Sequence, residues 1–232
     1  MREIVFDTET TGLRPEDGER VIEIGAVELE NMFPTGRSFH VYINPDGRVV
    51  HPDALRVHGI TDTFLADKPV FAAILQDFLA FITDANLVAH NAAFDMGFIN
   101  AELARLKTPP IGPERVVDTL QLARKRHPMG PNSLDALCSR YGIDNSHRTR
   151  HGALLDAELL AEVYIEMNGG RQAALVLDSH QARSRSQASG PIVQQRRQRS
   201  QPLADRLDEE TIRRHEAFVA TLGESAIWNR YR

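Results

Sequence analysis

The sequence predicts an α/β fold, a mixed five-stranded sheet flanked by helices, and two observations carry that expectation. Strand-like runs joined by short turn-rich links come first, and short apolar strands then alternate with helical stretches. The opening runs are EIVFDTE, RVIEIGAVELE and RSFHVYIN, rich in β-branched and aromatic residues. LRPEDGE and ENMFPTG lie between them and hold the Gly, Pro and Asp of turns, so the three runs form an antiparallel meander. PVFAAILQDFLAFI follows with apolar residues at helical spacing and Pro69 near its start. NLVAH reads as a strand, AAFDMGFINAELARL as a helix ending before Pro109 and Pro110, RVVDT as a strand, and TLQLARKR as a helix. SLDALCSRYG is a helix with Ser as N-cap and Gly142 just past its end. GALLDAELLAEVYIEM is a long amphipathic helix stopped by Gly169 and Gly170.

Beyond Gly170 the texture changes. SHQARSRSQASGPIVQQRRQRSQ is polar and poor in large apolar residues, so it cannot bury enough surface to offset chain entropy and reads as a disordered linker. Helical spacing returns in LDEETIRRHEAFVATLGESAIWNR, which ends near the sole Trp, Trp228. The organisation expected is a domain over 1–170, a linker over 171–203 and a short helical tail over 204–232.

Hydrophobic residues make up 42% of the 232 residues and charged ones 25%, within the ordinary range of soluble globular proteins. No apolar run reaches the roughly 20 residues of a bilayer span, and no charged-then-apolar leader precedes the first strand. The single Cys138 excludes an intrachain disulfide framework and a cysteine zinc cluster; a cytoplasmic location is expected. Net charge is −5, unevenly spread. Residues 1–177 hold 17 Lys and Arg against 25 Asp and Glu, whereas 178–232 hold 10 against 7. Seven of those 17 cations fall between Arg115 and Arg150, a local positive surface or a scatter over a solvated one.

The first strand sets the chemical question. Asp7 and Glu9 are two residues apart and share a face. Like charges side by side in a core raise one another's pKa, and burial raises both. A divalent cation reverses that balance, and hard cations such as Mg2+ take oxygen ligands. Asp95, in HNAAFDMGF, stands at the first turn of a helix among bulky neighbours; stabilisation of the helix N-terminus is the other explanation for it. Asp156, in HGALLDAELL, adjoins a helix's apolar face, where a carboxylate reaching solvent is the alternative. Four oxygen ligands from separate segments are what a two-cation site needs, one cation to activate water and one to stabilise the leaving oxygen of a phosphodiester. His151, just before Gly152 and that helix, supplies a base of the right type for neutral pH, or is a surface histidine like others among the nine.

FDTETTG, HNAAFDMGF and HGALLDAELLAEVY together resemble the three motifs of the DEDDh group of 3′→5′ exonucleases, with VHGITD and NSLDALCSRYGIDNSHRTRHGALLDA extending the likeness over residues 3–170. Within that group the chain is most similar to the proofreading nucleases of replicative polymerases. The resemblance implies an RNase H-like fold, hydrolysis of mispaired 3′ ends to 5′-monophosphates, and two divalent cations, Mg2+ or Mn2+. It implies that Asp7, Glu9, Asp95 and Asp156 are ligands and His151 the general base. It places Thr10, Thr11, Gly12, Leu13, His58 and Phe94 around the terminal nucleotide, with turn geometry for Gly12 and core packing for Phe94 as alternatives. Arg124, Lys125, Arg126, Arg148 and Arg150 are expected on the DNA backbone as sequence-blind phosphate contacts.

The resemblance also implies partners: a DNA 3′ end, single-stranded or frayed, and the polymerase's catalytic (alpha) subunit, docked on the tail. Ile212, Phe218 and Trp228 give the tail an apolar stripe suited to docking, or to folding back on its own domain. Gln172, Leu175 and Leu177 resemble a sliding-clamp peptide, and a frayed helix end explains them as well. Two other roles share these residues: trimming RNA 3′ ends, and bridging a polymerase assembly chiefly as a structural subunit.

Overall fold

Ile4, Val5 and Phe6 are fully buried because strand β1 (Arg2–Thr10) runs through the middle of a sheet covered on both faces. The structure, a computed structural model of the chain, describes residues 1–148, 150–170 and 208–222. β2 (Val21–Glu30) and β3 (Phe33–Tyr42) continue antiparallel from β1, while β4 (Asn86–Ala89) and β5 (Val116–Asp118) add in parallel on its other side. The five-stranded order is β3-β2-β1-β4-β5, the mixed sheet that the sequence predicts.

Two helical layers follow from the alternation of β1. Ile4 and Phe6 point to one face, packed by α3 (Phe71–Ile82) and α4 (Ala92–Arg105) through Phe78, Phe98, Ile99 and Leu103. Val5 points to the other, packed by Leu160, Tyr164 and Ile165 of α7 (Ala153–Met167). α5 (Thr119–Arg126) and α6 (Leu134–Tyr141) flank α7 through Ala123, Leu137, Cys138 and Val163. Ser133 caps α6 by accepting from the Ala136 amide, and Gly142 closes it in the left-handed region at φ 68°, both as expected.

Two features differ from the sequence reading. The hairpin between β2 and β3 turns on only Asn31 and Met32, both at positive φ, so β3 starts at Phe33 and takes Pro34 and Gly36 into the strand. An edge strand can carry such residues because one side of its backbone has no ladder to donate to. Two short helices, α1 (Pro52–His58) and α2 (Asp62–Leu65), were not anticipated in the segment after β3. Their signals were present: Pro52 at the first turn and Gly59 at the C-cap, φ 75°, for α1, and Thr61 as N-cap for α2.

The chain divides into two units, Met1–Leu175 and Val176–Arg232. In the second, α8 (Glu209–Thr221) is capped by Asp208, whose side chain accepts from the Thr211 amide, and leaves Ile212 and Phe218 exposed. The linker 171–203, the Gln172, Leu175 and Leu177 stretch, and Trp228 lie outside the described residues. Among the described residues no helix is long and apolar enough to cross a membrane.

Candidate active site at the C-terminal end of the first strand

β1, β4 and β5 are parallel, so their carboxyl ends open at one edge, the usual place for a ligand crevice in sheets of this kind. Asp7 and Glu9 lie near the end of β1 there, on the face that α7 covers. α7 approaches unusually closely because Gly25 of β2, opposite Asp7, has no side chain: a Cβ would overlap the backbone of Ala153 and Leu154. That contact seats the first turn of α7, and with it Asp156, over the acidic end of β1. Asp95 arrives from the opposite layer, on the first turn of α4. Its Oδ1 accepts from the Thr8 amide at 3.1 Å and the Thr8 hydroxyl at 2.7 Å, Thr8 lying between the two acids of β1.

The electrostatics are those of crowded carboxylates. Asp95 and Asp156 are 3% and 2% exposed. Burial, then the charges of Asp95, Glu9 and Asp156, hold the Asp7 carboxyl well above its usual range. Burial, then Glu23 directly across the ladder, pushes Glu9 up to about 8. Burial also raises Asp95 to about 7 against the hydrogen bonds from Thr8. Asp156 goes the other way: burial would raise it, but Arg148 and His151 outweigh that and hold it below the usual carboxylate range.

Arg148 is the cation at this cluster. Its Nε lies 2.5 Å from Asp156 Oδ1 and its Nη2 2.7 Å from Oδ2, while Nη1 reaches both oxygens of Asp135 at 2.8 and 2.9 Å. The same Nη2 is 2.7 Å from His151 Nδ1, which is itself 3.1 Å from Asp156 Oδ2. These two contacts demand opposite tautomers: Nδ1 accepts from Arg148 only when bare, and donates to Asp156 only when protonated. His151 otherwise stands half-exposed ahead of α7. Ligand atoms of Glu9, His151 and Asp156 come within 4.8 Å of one another.

The donor set fits a hard divalent cation. Four carboxylates converge, three carry raised pKa values, and Arg148 offsets only part of their charge, so bound cations would relieve the repulsion. A cavity of about 560 Å³ lies elsewhere, between the β2–β3 hairpin and α7, and is lined by none of these carboxylates or His151.

The segment Thr10–Leu13 follows directly on Glu9. Thr10 Oγ1 donates to the Gly12 carbonyl at 2.6 Å, Thr11 is buried, and Leu13 is 80% exposed. Gly12 packs closely on Glu19: a Cβ would stand 2.6 Å from Glu19 Cδ. His58 ends α1 buried, its Nδ1 accepting from the Ile60 amide at 3.0 Å and its Nε2 without a hydrogen bond among the described residues. Burial lowers its pKa. Phe94, on the same helix as Asp95, packs its ring at a tilt on the core residue Phe98, centroids 5.0 Å apart. Arg124, Lys125 and Arg126 form the last turn of α5, and Arg150 lies across Gly59.

Sequence reasoning singled out the acids and His151 but not Gly25, Glu23, Asp135 or Glu19. Gly25 and Glu23 look like ordinary residues of VIEIGAVELE until the ladder pairs them with Asp7 and Glu9. Arg148, expected on the DNA backbone, instead turns its side chain inward onto Asp135 and Asp156.

The Exonuclease family matches residues 4–164. The chain is 44% identical to the DNA polymerase III subunit epsilon of Rickettsia felis, over 97% of this chain and 99% of that one. It is 48% identical to the subunit of the same name from Salmonella typhimurium, over 98% and 97%. Among solved structures it is similar to exonuclease X in complex with 5′ overhanging duplex DNA (TM-score 0.54, 27% identity, 72% of this chain and 89% of that one). The nuclease domain of 3′hExo, a DEDDh family member bound to rAMP, shares the fold at TM-score 0.62 and 17% identity, over 72% and 91%.

Proposed function

The chain belongs to the Exonuclease family, among the epsilon subunits of DNA polymerase III, and from that premise we propose how its residues carry out the reaction. The activity is that of a proofreading 3′→5′ exonuclease, which divalent metal ions serve. Asp7, Glu9, Asp95 and Asp156 would hold two cations, Mg2+ or Mn2+, and His151 removes the proton of the attacking water. Bound there, such cations would supply activation of that water and charge stabilisation for the leaving oxygen. The observation that carries this reading is convergence: α4 and α7, from opposite layers, each place a first-turn carboxylate beside the two acids of β1.

The protein's own groups have defined tasks. Thr8 fixes Asp95 through two hydrogen bonds, so that carboxylate is set before any ligand binds. Asp156 orients the His151 ring, and the tautomer with Nδ1–H toward Asp156 leaves Nε2 as the basic nitrogen. Thr10, Thr11, Gly12 and Leu13, with His58 and Phe94, hold the terminal nucleotide, exposed Leu13 meeting a base. Arg124, Lys125, Arg126 and Arg150 attract the phosphate backbone. A mismatched end frays more readily than a paired one, so selectivity arises from melting rather than from reading bases.

Residues 1–170 act as the nuclease domain, 171–203 as a linker and 204–232 as a tail for the polymerase catalytic subunit, with Phe218 and Trp228 as anchors. Gln172, Leu175 and Leu177 serve the sliding clamp, and the protein works in the cytoplasm. The test is a mismatched primer–template assay in Mg2+ or Mn2+, with and without the polymerase subunit. Asp7→Ala, His151→Ala and Asp156→Ala should each lose the great part of hydrolysis; near-normal rates in the folded variants would refute the assignment.

A further inference from the structure

Glu19 is a carboxylate that the reaction does not use, yet it is 7% exposed and sits directly behind Thr11 and Gly12. The β1–β2 ladder shifts register between Glu9 and Thr10, and its last pair is Thr10 with Val21. Something other than the ladder must then hold the next residues. Thr11 does this with every polar atom it has: its amide donates to the Arg20 carbonyl at 2.9 Å, and its carbonyl accepts from the His51 amide at 2.8 Å. Its hydroxyl accepts from the Arg20 amide at 2.9 Å and donates to Glu19 Oε2. Glu19 Oε1 in turn takes the guanidinium of Arg48. Hydrogen bonding from Arg48 holds the Glu19 carboxyl below its usual range despite partial burial.

The same side chain supports Gly12. A Cβ there would stand 2.6 Å from Glu19 Cδ, 2.9 Å from Cγ and 3.0 Å from Oε2, so backbone and carboxylate are in direct contact. Thr11 and Gly12 are thus fixed from behind, and Leu13, one residue on, projects into solvent. Order at the base and exposure at the tip make a presented contact.

We propose that Glu19, locked by Arg48, is a positioning residue that holds the Thr11–Leu13 lip in the shape that receives the terminal nucleotide. The inference rests on reading that lip as the nucleotide contact. Glu19 touches neither the reacting atoms nor the proposed cation ligands, so its loss acts on substrate capture.

The test is steady-state hydrolysis of single-stranded DNA by the full chain, reading KM and kcat separately, with thermal unfolding in parallel. The variants are Glu19→Ala, Glu19→Gln, Arg48→Met and Leu13→Ala. Loss of one buried hydrogen-bonded contact predicts that Glu19→Ala raises KM about tenfold with kcat within about twofold of wild type. Glu19→Gln keeps an acceptor for the Thr11 hydroxyl but offers no charge to Arg48, so its KM falls between, close to that of Arg48→Met. Should Glu19→Ala fail to fold, Glu19→Gln and Arg48→Met carry the comparison. A raised KM for Leu13→Ala beside wild-type values for the folded Glu19 and Arg48 variants overturns the inference alone. Wild-type KM in all four overturns the reading of the lip as well. A fall in kcat without a rise in KM overturns the positioning role.

Discussion

Glu9 and Asp95 hold their protons in the folded protein up to about 8 and about 7, against ordinary values of 4.5 and 3.8. Between those limits the folded state binds more protons than the unfolded one, so these two groups make stability fall as pH rises. A divalent cation needs the deprotonated forms, and it therefore relieves most where protons have been lost. The expected outcome is that Mg2+ raises the melting temperature more at about pH 8 than at about pH 5.5, relative to EDTA controls. Equal shifts at the two values would contradict the site. Arg148 is the second test at this scale. Its fork spans Asp135, Asp156 and His151, a geometry that a lysine ammonium cannot reproduce. Arg148→Ala should lower kcat by about 10- to 100-fold, the usual loss when a partner of ligating groups is removed, with Arg148→Lys recovering little.

At the scale of elements, the crossing of β2 and α7 at Gly25 decides where Asp156 stands. Because backbone meets backbone there, a methyl group cannot be absorbed by a side-chain rotation. Gly25→Ala should destabilise the fold by about 1–3 kcal/mol, as overpacking does, and reduce hydrolysis in the molecules that remain folded. Denaturant unfolding and rates normalised to folded protein separate the two effects. A second junction joins β2 to α4. Arg20 meets Glu102 through Nε at 2.7 Å and Nη2 at 3.0 Å, and Arg105 adds a contact at 2.9 Å. Glu102 is almost wholly buried. Removing it leaves Arg20 with only the Pro45 carbonyl and the more distant Asp46, so Glu102→Ala should cost about 3 kcal/mol in urea unfolding, although it carries no proposed chemistry.

For the whole molecule, catalysis and tethering are expected to separate along the chain. The Exonuclease match stops at residue 164, and the similarity to Salmonella typhimurium epsilon continues over 98% of the chain. α8 carries exposed Ile212 and Phe218, the stripe proposed to dock on the polymerase. A chain ending at Gly170 should therefore hydrolyse short single-stranded DNA within about twofold of the full-length rate, while losing the gain in local concentration that a tether provides. Gel filtration with the polymerase catalytic subunit reads the second part; co-elution of the truncated chain would place the docking surface elsewhere.

Residue types and periodicity alone specified the five strands, the main helices, the caps at Ser133 and Gly142, and the acids with His151 as a set worth grouping. Local physics is enough for these, since alternation, capping and like-charge crowding are readable within a few neighbours. α1 and α2 are equally local, marked by Pro52, Gly59 and Thr61. Tertiary structure alone decided the rest. Which glycine lets a helix touch the sheet, which glutamate faces Glu9 across a ladder, and which arginine turns inward depend on residues far apart in sequence. Gly25 and Glu23 become informative only once register sets them opposite Asp7 and Glu9. Glu19 gains meaning only when the chain folds back to meet Thr11 and Arg48. Packing and electrostatics act through space, and a one-dimensional pattern reports them only where space and sequence coincide.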